Sequence, residues 1–224
     1  MRSATRTAGV VSAAMLVSAA MLGALRPATA HDPHHQHNQA APAHVKPDAA
    51  RVTLHDVELV DVEGEAVRFK SSAVDNRIVV VSFIYTSCTT ICPVTSAVVA
   101  DVQDRLASKL GERFGRDVKL ISLTVDPVTD TPERLKDYAA SFGRPAGWLW
   151  LTGEKPKVDR VLTGLGAYAA DFTSHSGAVL VGDASSGDWT RFFGIPNPSD
   201  IVDRVERLLA ARERHQAASK GNKS

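Results

Sequence analysis

A run of mostly β-branched, apolar residues from Ile78 to Ile84 leads into the only two cysteines of the chain, Cys88 and Cys92. A run of this length and composition is typical of a strand that is buried on both faces. Pro93 directly follows the second cysteine and suits the first turn of a helix. The sequence therefore predicts a dithiol where a core strand passes into a helix N-terminus, and there the unpaired N–H groups and the helix dipole favour thiolate over thiol.

The rest of the chain alternates between strand and helix patterns. The predicted elements are a hairpin within residues 52–69, strands at 78–84 and 118–125, a helix at 93–114, a helix from 130 to 142, a strand at 148–151, a helix at 158–165, a hairpin of 178–181 with 190–193, and a last helix from 198 to about 212. This order, with the dithiol after the first core strand, is typical of a thioredoxin-like fold. We therefore expect an α/β protein whose central mixed sheet is flanked by helices on both faces.

Residues 1–30 have the form of a signal peptide. Arg2 and Arg6 precede an apolar, alanine-rich stretch, and Ala28 to Ala30 fit an A-x-A cleavage site. An uncleaved membrane anchor is the alternative, because the apolar stretch is close to the minimum length for a span. Both interpretations predict export, and the composition of the segment suggests a bacterial periplasm. Removing its three arginines lowers the formal net charge from +1 to −2, so no basic surface favours a nucleic-acid partner.

Residues 31–50 follow as a histidine-rich tract. Pro, Ala, Gln and Asn surround its histidines and leave nothing to pack, so we expect a disordered tail. Neutral imidazoles bind Cu(II), Ni(II) or Zn(II), which predicts auxiliary metal capture by His31, His34, His35 and His37. A polar linker is the alternative. Residues 213–224 are expected to form a second disordered tail, leaving residues 51–212 as the folded domain.

The four-residue spacing of the cysteines suits two kinds of chemistry. On a helix or a tight turn both sulfurs face the same way with Cα atoms about 6 Å apart, which suits one shared metal ion and also lies within disulfide range. A purely structural disulfide would gain only about 2 kcal/mol from so short a loop. Two thiolates suit Cu(I), for which a third ligand is usually sought. His175 is the candidate, because its polar loop precedes the strand at 178–181 and such a loop lies near the dithiol in a thioredoxin-like sheet.

These motifs make residues 51–212 resemble the Sco (SenC) family of copper proteins, which serve assembly of the CuA centre of cytochrome c oxidase. The matching motifs are F-x-Y-T-x-C-x-x-x-C-P at 83–93, V-D-P-x-x-D-T-P at 125–132, W-L-W-L-T-G at 148–153, and His175-Ser176. The resemblance implies that Cys88, Cys92 and His175 bind copper, as Cu(I) or Cu(II). Asp126 and Asp130 match acidic positions near the site. We expect them to shape the loop and a partner surface and not to bind the metal, with a helix cap as the alternative role for Asp130.

The chain departs from the family pattern at two places. Ser174 stands where the family usually has an aspartate before the histidine, which removes a carboxylate that would orient the imidazole. Residues 89–91 lack the acidic residue that is often found between the cysteines in the family. This difference changes the charge of the segment between Cys88 and Cys92.

The leading hypothesis is a metallochaperone, rather than an enzyme, that delivers copper in the periplasm to the CuA site of cytochrome c oxidase subunit II. Family members also include thiol–disulfide reductases, so the alternative is an enzyme whose redox-active pair, Cys88 and Cys92, keeps the CuA-site cysteines reduced. Further expected partners are other periplasmic copper chaperones and thioredoxin-like reductants. A peroxidase and a copper or redox sensor are the remaining alternatives.

Overall fold

The computed structural model describes residues 47–143, 146–174 and 177–221. Its strands are β1 (Asp48–Ala49), β2 (Glu58–Asp61), β3 (Ala66–Arg68), β4 (Ile78–Ile84), β5 (Val118–Thr124), β6 (Trp148–Thr152), β7 (Ala178–Asp183) and β8 (Asp188–Phe193). Its α-helices are α1 (Ile91–Leu110), α2 (Pro132–Ala140), α3 (Lys155–Gly164) and α4 (Pro198–Gly221). The predicted signal peptide, the histidine-rich tract up to residue 46, and His175 lie outside the described residues.

The strands form one mixed sheet with β4 near its centre. The order is β1-β8-β7-β4-β5-β6-β2-β3, in which β4, β5 and β6 are parallel and β7 is antiparallel to β4. Every residue of β4 is buried, which agrees with the continuous apolar run in the sequence. The predicted central mixed sheet and the thioredoxin-like fold are confirmed.

Alternate residues of β4 build two separate cores. Ile78, Val80 and Ile84 face α1, α2 and α4, whereas Val79, Val81 and Phe83 share the other core with residues of α3. Apolar side chains of the segment 50–57 also pack against this second core. The helices therefore cover both faces of the sheet, as the sequence predicted.

The structure corrects the predicted ends of the domain. Asp48 and Ala49, which were assigned to the disordered tail, pair with Arg191 and Thr190 of β8, because that edge strand offers free backbone groups. At the other end α4 continues to Gly221, well beyond the predicted end near Arg212.

The predicted hairpin within residues 52–69 is present, but its first strand begins only at Glu58. Residues 52–56 form no strand, and the hairpin consists of β2 and β3 instead. Segment 50–57 crosses the second core, where the N–H of Thr53 donates to the carbonyl of Gly164 at 2.8 Å. The apolar side chains of this segment pack against the face of the sheet without joining it. Among the helices of the described residues, none has the length and apolar character required to cross a membrane.

Candidate thiol and metal site

The two cysteines lie at the carboxyl end of β4. A tight turn follows the strand, in which the N–H of Cys88 donates to the carbonyl of Tyr85 at 3.1 Å. Helix α1 begins at Ile91, so Cys92 and Pro93 stand in its first turn, as predicted. Both cysteines are free thiols, and the side chains are buried, with Cys88 at 5% and Cys92 at 1% exposure.

The sulfur of Cys88 is surrounded by hydrogen-bond donors. The backbone N–H of Cys92, which belongs to the first turn of α1, donates to Cys88 Sγ at 3.3 Å, and Thr90 Oγ1 lies 3.8 Å from the same sulfur. Burial opposes ionisation of Cys88, but hydrogen bonds from Cys92, Thr90 and Tyr85 outweigh it and lower its pKa to about 6. The predicted stabilisation of a thiolate by the helix N-terminus is thus found at Cys88.

Cys92 behaves in the opposite way, although it lies within the helix itself. Burial, the neighbouring Cys88 sulfur and the charge of Asp130 raise its pKa to about 12. Negative charge on Cys88 disfavours a second negative charge next to it. The site therefore holds one thiolate and one thiol at neutral pH.

This difference predicts a distinct pH titration of thiolate absorbance in the reduced protein. Cys88 is protonated below its pKa of about 6, so one thiolate per chain should appear as the pH rises through that value. An ordinary thiol titrates at about 8.5. The Cys88→Ser variant is the control and should lack the transition near pH 6. A midpoint near 8.5, or two thiolates appearing together, would contradict the prediction.

Asp130 anchors the turn that carries the dithiol. Its fully buried carboxylate accepts hydrogen bonds from the N–H of Thr86 at 3.0 Å, from Thr86 Oγ1 at 2.6 Å and from the hydroxyl of Thr124. Thr131, and not Asp130, is the N-cap of α2, since its side chain accepts from the N–H of Arg134. The expectation that Asp130 shapes the loop is confirmed, and its alternative role as a helix cap is wrong.

Two aromatic residues complete the wall beside Cys88. Tyr85 hydrogen-bonds to Cys88, and this bond together with burial raises the pKa of Tyr85 to about 12, so its hydroxyl keeps its proton and donates to the sulfur. Phe172 packs edge-on against Tyr85 with ring centroids 5.2 Å apart. No role was predicted for either residue from the sequence. Tyr85 could have been found from its position three residues before Cys88, inside the cysteine motif at 83–93. Nothing in the sequence near Phe172 indicated a role for that residue.

The chain on both sides of residues 175 and 176 contacts the segment 85–92, which carries both cysteines and is called the cysteine loop. Phe172 lies against Tyr85, and a Cβ built on Gly177 would lie 3.4 Å from Cγ1 of Ile91, the residue before Cys92. The N–H of Gly194 also donates to the carbonyl of Gly177 at 2.6 Å, which fixes the start of β7 there. The described residues that flank His175 are therefore held beside the dithiol.

The described residues alone do not supply a metal site with three ligands. Among residues 47–143, 146–174 and 177–221, no three His, Cys, Asp or Glu side chains are grouped so that they could hold a metal ion. His175, the predicted third ligand, lies outside these residues, as do His31, His34, His35 and His37. The two sulfurs that the structure does bring together can bind a soft metal ion or close to a disulfide.

Comparisons with known proteins agree with this geometry. The family model described as SCO1/SenC matches residues 46–210. A Stutzerimonas stutzeri protein named for copper binding is 31% identical over 170 residues, which is 72% of this chain and 78% of that protein. The SCO1 protein homolog of Bacillus subtilis is 40% identical over 72 residues, but this match spans only 35% of its length and 32% of this chain.

Solved structures show the same fold. BsSco, described as a member of the Sco family of cytochrome c oxidase assembly proteins with a disulfide switch, is 24% identical with a TM-score of 0.59. That match covers 71% of this chain and 95% of BsSco. Bradyrhizobium japonicum ScoI with copper bound is 25% identical with a TM-score of 0.55, over 67% of this chain and 95% of that one.

Proposed function

Because this chain belongs to the SCO1/SenC family, we propose that it is a periplasmic copper metallochaperone that delivers copper to the CuA site of cytochrome c oxidase subunit II. The observation that carries the proposal is the pair of free thiols, Cys88 and Cys92, at the start of α1, where the backbone N–H of Cys92 donates to Cys88 Sγ. The copper-binding name of the Stutzerimonas relative and the copper-bound Bradyrhizobium structure support this choice of metal.

His175 is proposed as the third copper ligand. Its support is that Phe172 and Gly177, the nearest described residues with contacts to the site, lie against Tyr85 and Ile91 of the cysteine loop. An imidazole added to two thiolates completes a ligand set that suits copper in either oxidation state. His31, His34, His35 and His37 are proposed to capture copper separately, outside this site.

The different environments of the two sulfurs suit a metal ion that must be both bound and released. Cys88 is ready to bind as a thiolate, whereas Cys92 must lose a proton when the metal binds, so copper binding releases a proton. Both sulfurs lie at an end of the sheet, next to a turn and not in the middle of a core strand. A recipient cysteine can then replace one protein ligand at a time, and the copper passes over by ligand exchange.

A second function is favoured by the unequal depth of the two sulfurs. Cys88 is 5% exposed and ionised at neutral pH, and Cys92 is 1% exposed and protonated, which is the arrangement of an attacking and a resolving thiol in a reductase. Cys88 would attack a disulfide of the CuA subunit and release one of its thiols. Cys92 would then attack the Cys88 sulfur and release the second, which leaves a Cys88–Cys92 disulfide for a thioredoxin-like reductant to reduce.

A transfer experiment with the CuA domain of subunit II tests the proposal and separates the two functions. The chain, reduced and loaded with one Cu(I), is mixed anaerobically with apo CuA domain whose cysteines are either reduced or joined as a disulfide. A chaperone should move copper to the reduced domain, as measured by elemental analysis after separation. No transfer to the reduced domain would overturn this proposal. A Cys92→Ser variant that traps a mixed disulfide with the oxidised domain would instead support the reductase.

A further inference from the structure

A small cavity lies next to the dithiol and is used by neither proposed chemistry. It measures about 270 Å³ and lies between the turn that follows β5, the start of α3 and the segment that contains Phe172. This volume falls just below the range of roughly 300–1,000 Å³ that is typical of small-molecule sites. The cavity is therefore large enough for one long side chain.

The carboxylate of Asp126 lines this cavity without a hydrogen-bond donor. Asp126 is only 7% exposed, and its backbone N–H donates to Thr124 Oγ1 at 3.0 Å. Its side-chain oxygens accept no hydrogen bond from any residue that the structure describes. Because these oxygens keep some exposure to the cavity, a ligand that enters it can supply them with a donor.

The other charged groups of the cavity leave an excess of negative charge. Lys155 and Asp159 also line it, and they pair with each other, with Lys155 Nζ 2.6 Å from an oxygen of Asp159. Lys155 Nζ additionally lies 6.0 Å above the ring of Tyr168, which further fixes its position. Two carboxylates and one ammonium group leave a net charge of −1, which favours a cation.

The remaining walls of the cavity are apolar, and its surroundings include exposed apolar residues. Leu162 and Phe172 line it, and Val128 beside Asp126 is 73% exposed. Tyr168, under Lys155, is 48% exposed. Apolar walls around a buried carboxylate suit a side chain with an aliphatic stem and a cationic end, which describes arginine and lysine.

The cavity shares a wall with the thiol site. Phe172 lines the cavity on one side and packs against Tyr85, which hydrogen-bonds to Cys88, on the other. The turn after β5 connects the two places as well, because it carries Asp126 in the cavity and Asp130 under the cysteine loop. The rings of Tyr85 and Phe172 thus lie between the Cys88 sulfur and the cavity.

We propose that this cavity is a docking site that receives an arginine or lysine side chain of the protein partner positioned over the dithiol. The identity of that partner, the CuA domain of subunit II, rests on the proposed function. The cation-binding property of the cavity does not. Asp126 supplies the charge that recognises the partner and takes no part in binding copper.

The first test uses small probes and requires no partner. The ¹⁵N-labelled full-length protein is titrated with the amides of N-acetylarginine and N-acetyllysine, and with the uncharged N-acetylnorleucine amide as the matched probe. The cationic amides should shift the backbone resonances of Val128 and Phe172 with affinity in the millimolar range, and the norleucine amide should not. Asp126→Asn should abolish these shifts. Asp104→Asn, an equal charge change at an exposed residue of α1, should leave them unchanged.

The second test measures association with the CuA domain. Asp126→Asn should weaken it about tenfold or more, because one member of a desolvated charge pair is lost, and should keep the copper stoichiometry. Ala170→Leu, at an exposed lining residue, should weaken it by blocking the cavity, and Asp104→Asn should change it less than twofold.

The outcomes separate the cavity from the proposed function. If the cationic amides bind through Asp126 but the CuA domain does not bind, the cavity is a cation-binding site and the CuA domain is not the partner. If Asp126→Asn and Asp104→Asn have equal effects on the resonance shifts and on association, the cavity is not a docking site. Self-association of the protein that depends on Asp126, detected by sedimentation, would also overturn it, since a second copy would then be the occupant.

Discussion

Replacing Cys88 or Cys92 by serine should abolish stoichiometric Cu(I) binding by the folded domain. Serine keeps the size and the polar character of the side chain but removes a soft thiolate ligand, and one thiolate with one imidazole binds Cu(I) far more weakly than two thiolates do. The measurement is copper per chain by elemental analysis after dialysis of the reduced protein. We expect about one copper ion in the parent chain and none in either variant.

This experiment requires a chain without the histidine-rich tract, because imidazoles there would retain copper and hide the loss. The truncation should begin at residue 47 so that β1 remains paired with β8. Ser87→Ala is a matched control in the same loop, since Ser87 is exposed and the hydrogen bonds to the Cys88 sulfur come from Thr90 and Cys92, and it should bind copper like the parent. His175→Ala should weaken Cu(II) binding most. Full copper retention by the double cysteine variant would refute a dithiol copper site.

Replacing Asp130 by alanine should both destabilise the domain and weaken copper binding. The substitution removes the acceptor for one buried donor, the hydroxyl of Thr124, and for two half-buried donors, the N–H and hydroxyl of Thr86. A buried donor left without a partner costs about 1–3 kcal/mol, and the half-buried donors of Thr86 add less because water can reach them, so the free energy of unfolding should fall by about 3 kcal/mol. Urea unfolding measured by circular dichroism gives this value.

The copper effect of Asp130→Ala follows from the position of Thr86, two residues before Cys88. Releasing that backbone loosens the turn that holds the first sulfur, and loss of such a supporting contact typically lowers metal affinity about 10- to 100-fold. Thr131→Ala is the matched control, since it removes only the N-cap of α2 and should cost about 1 kcal/mol with unchanged copper affinity. If the two variants lose equal stability and bind copper equally well, Asp130 does not anchor the site.

The local elements of the site were predictable because their signals lie close together in the chain. The apolar run of β4, the two cysteines and Pro93 at the start of α1 occupy 16 consecutive residues, from 78 to 93. The order of strands and helices then predicted the mixed sheet and its flanking helices. The ends of the domain were less accurate, because the pairing of Asp48 and Ala49 depends on the distant strand β8 and leaves no pattern in so short a segment.

The sequence alone therefore predicted which residues are candidates for the chemistry and on which elements Cys88 and Cys92 lie, since the signals for strand burial, helix start and thiol identity come from neighbouring residues. How each residue behaves depends instead on its neighbours in the folded protein. Parallel pairing of β4 with β5 brings Asp130 to Thr86, 44 positions away, and Phe172 reaches Tyr85 across the same end of the sheet. Burial and donor geometry, which no local pattern encodes, make Cys88 a thiolate, keep Cys92 a thiol and leave Asp126 in a cavity without a donor.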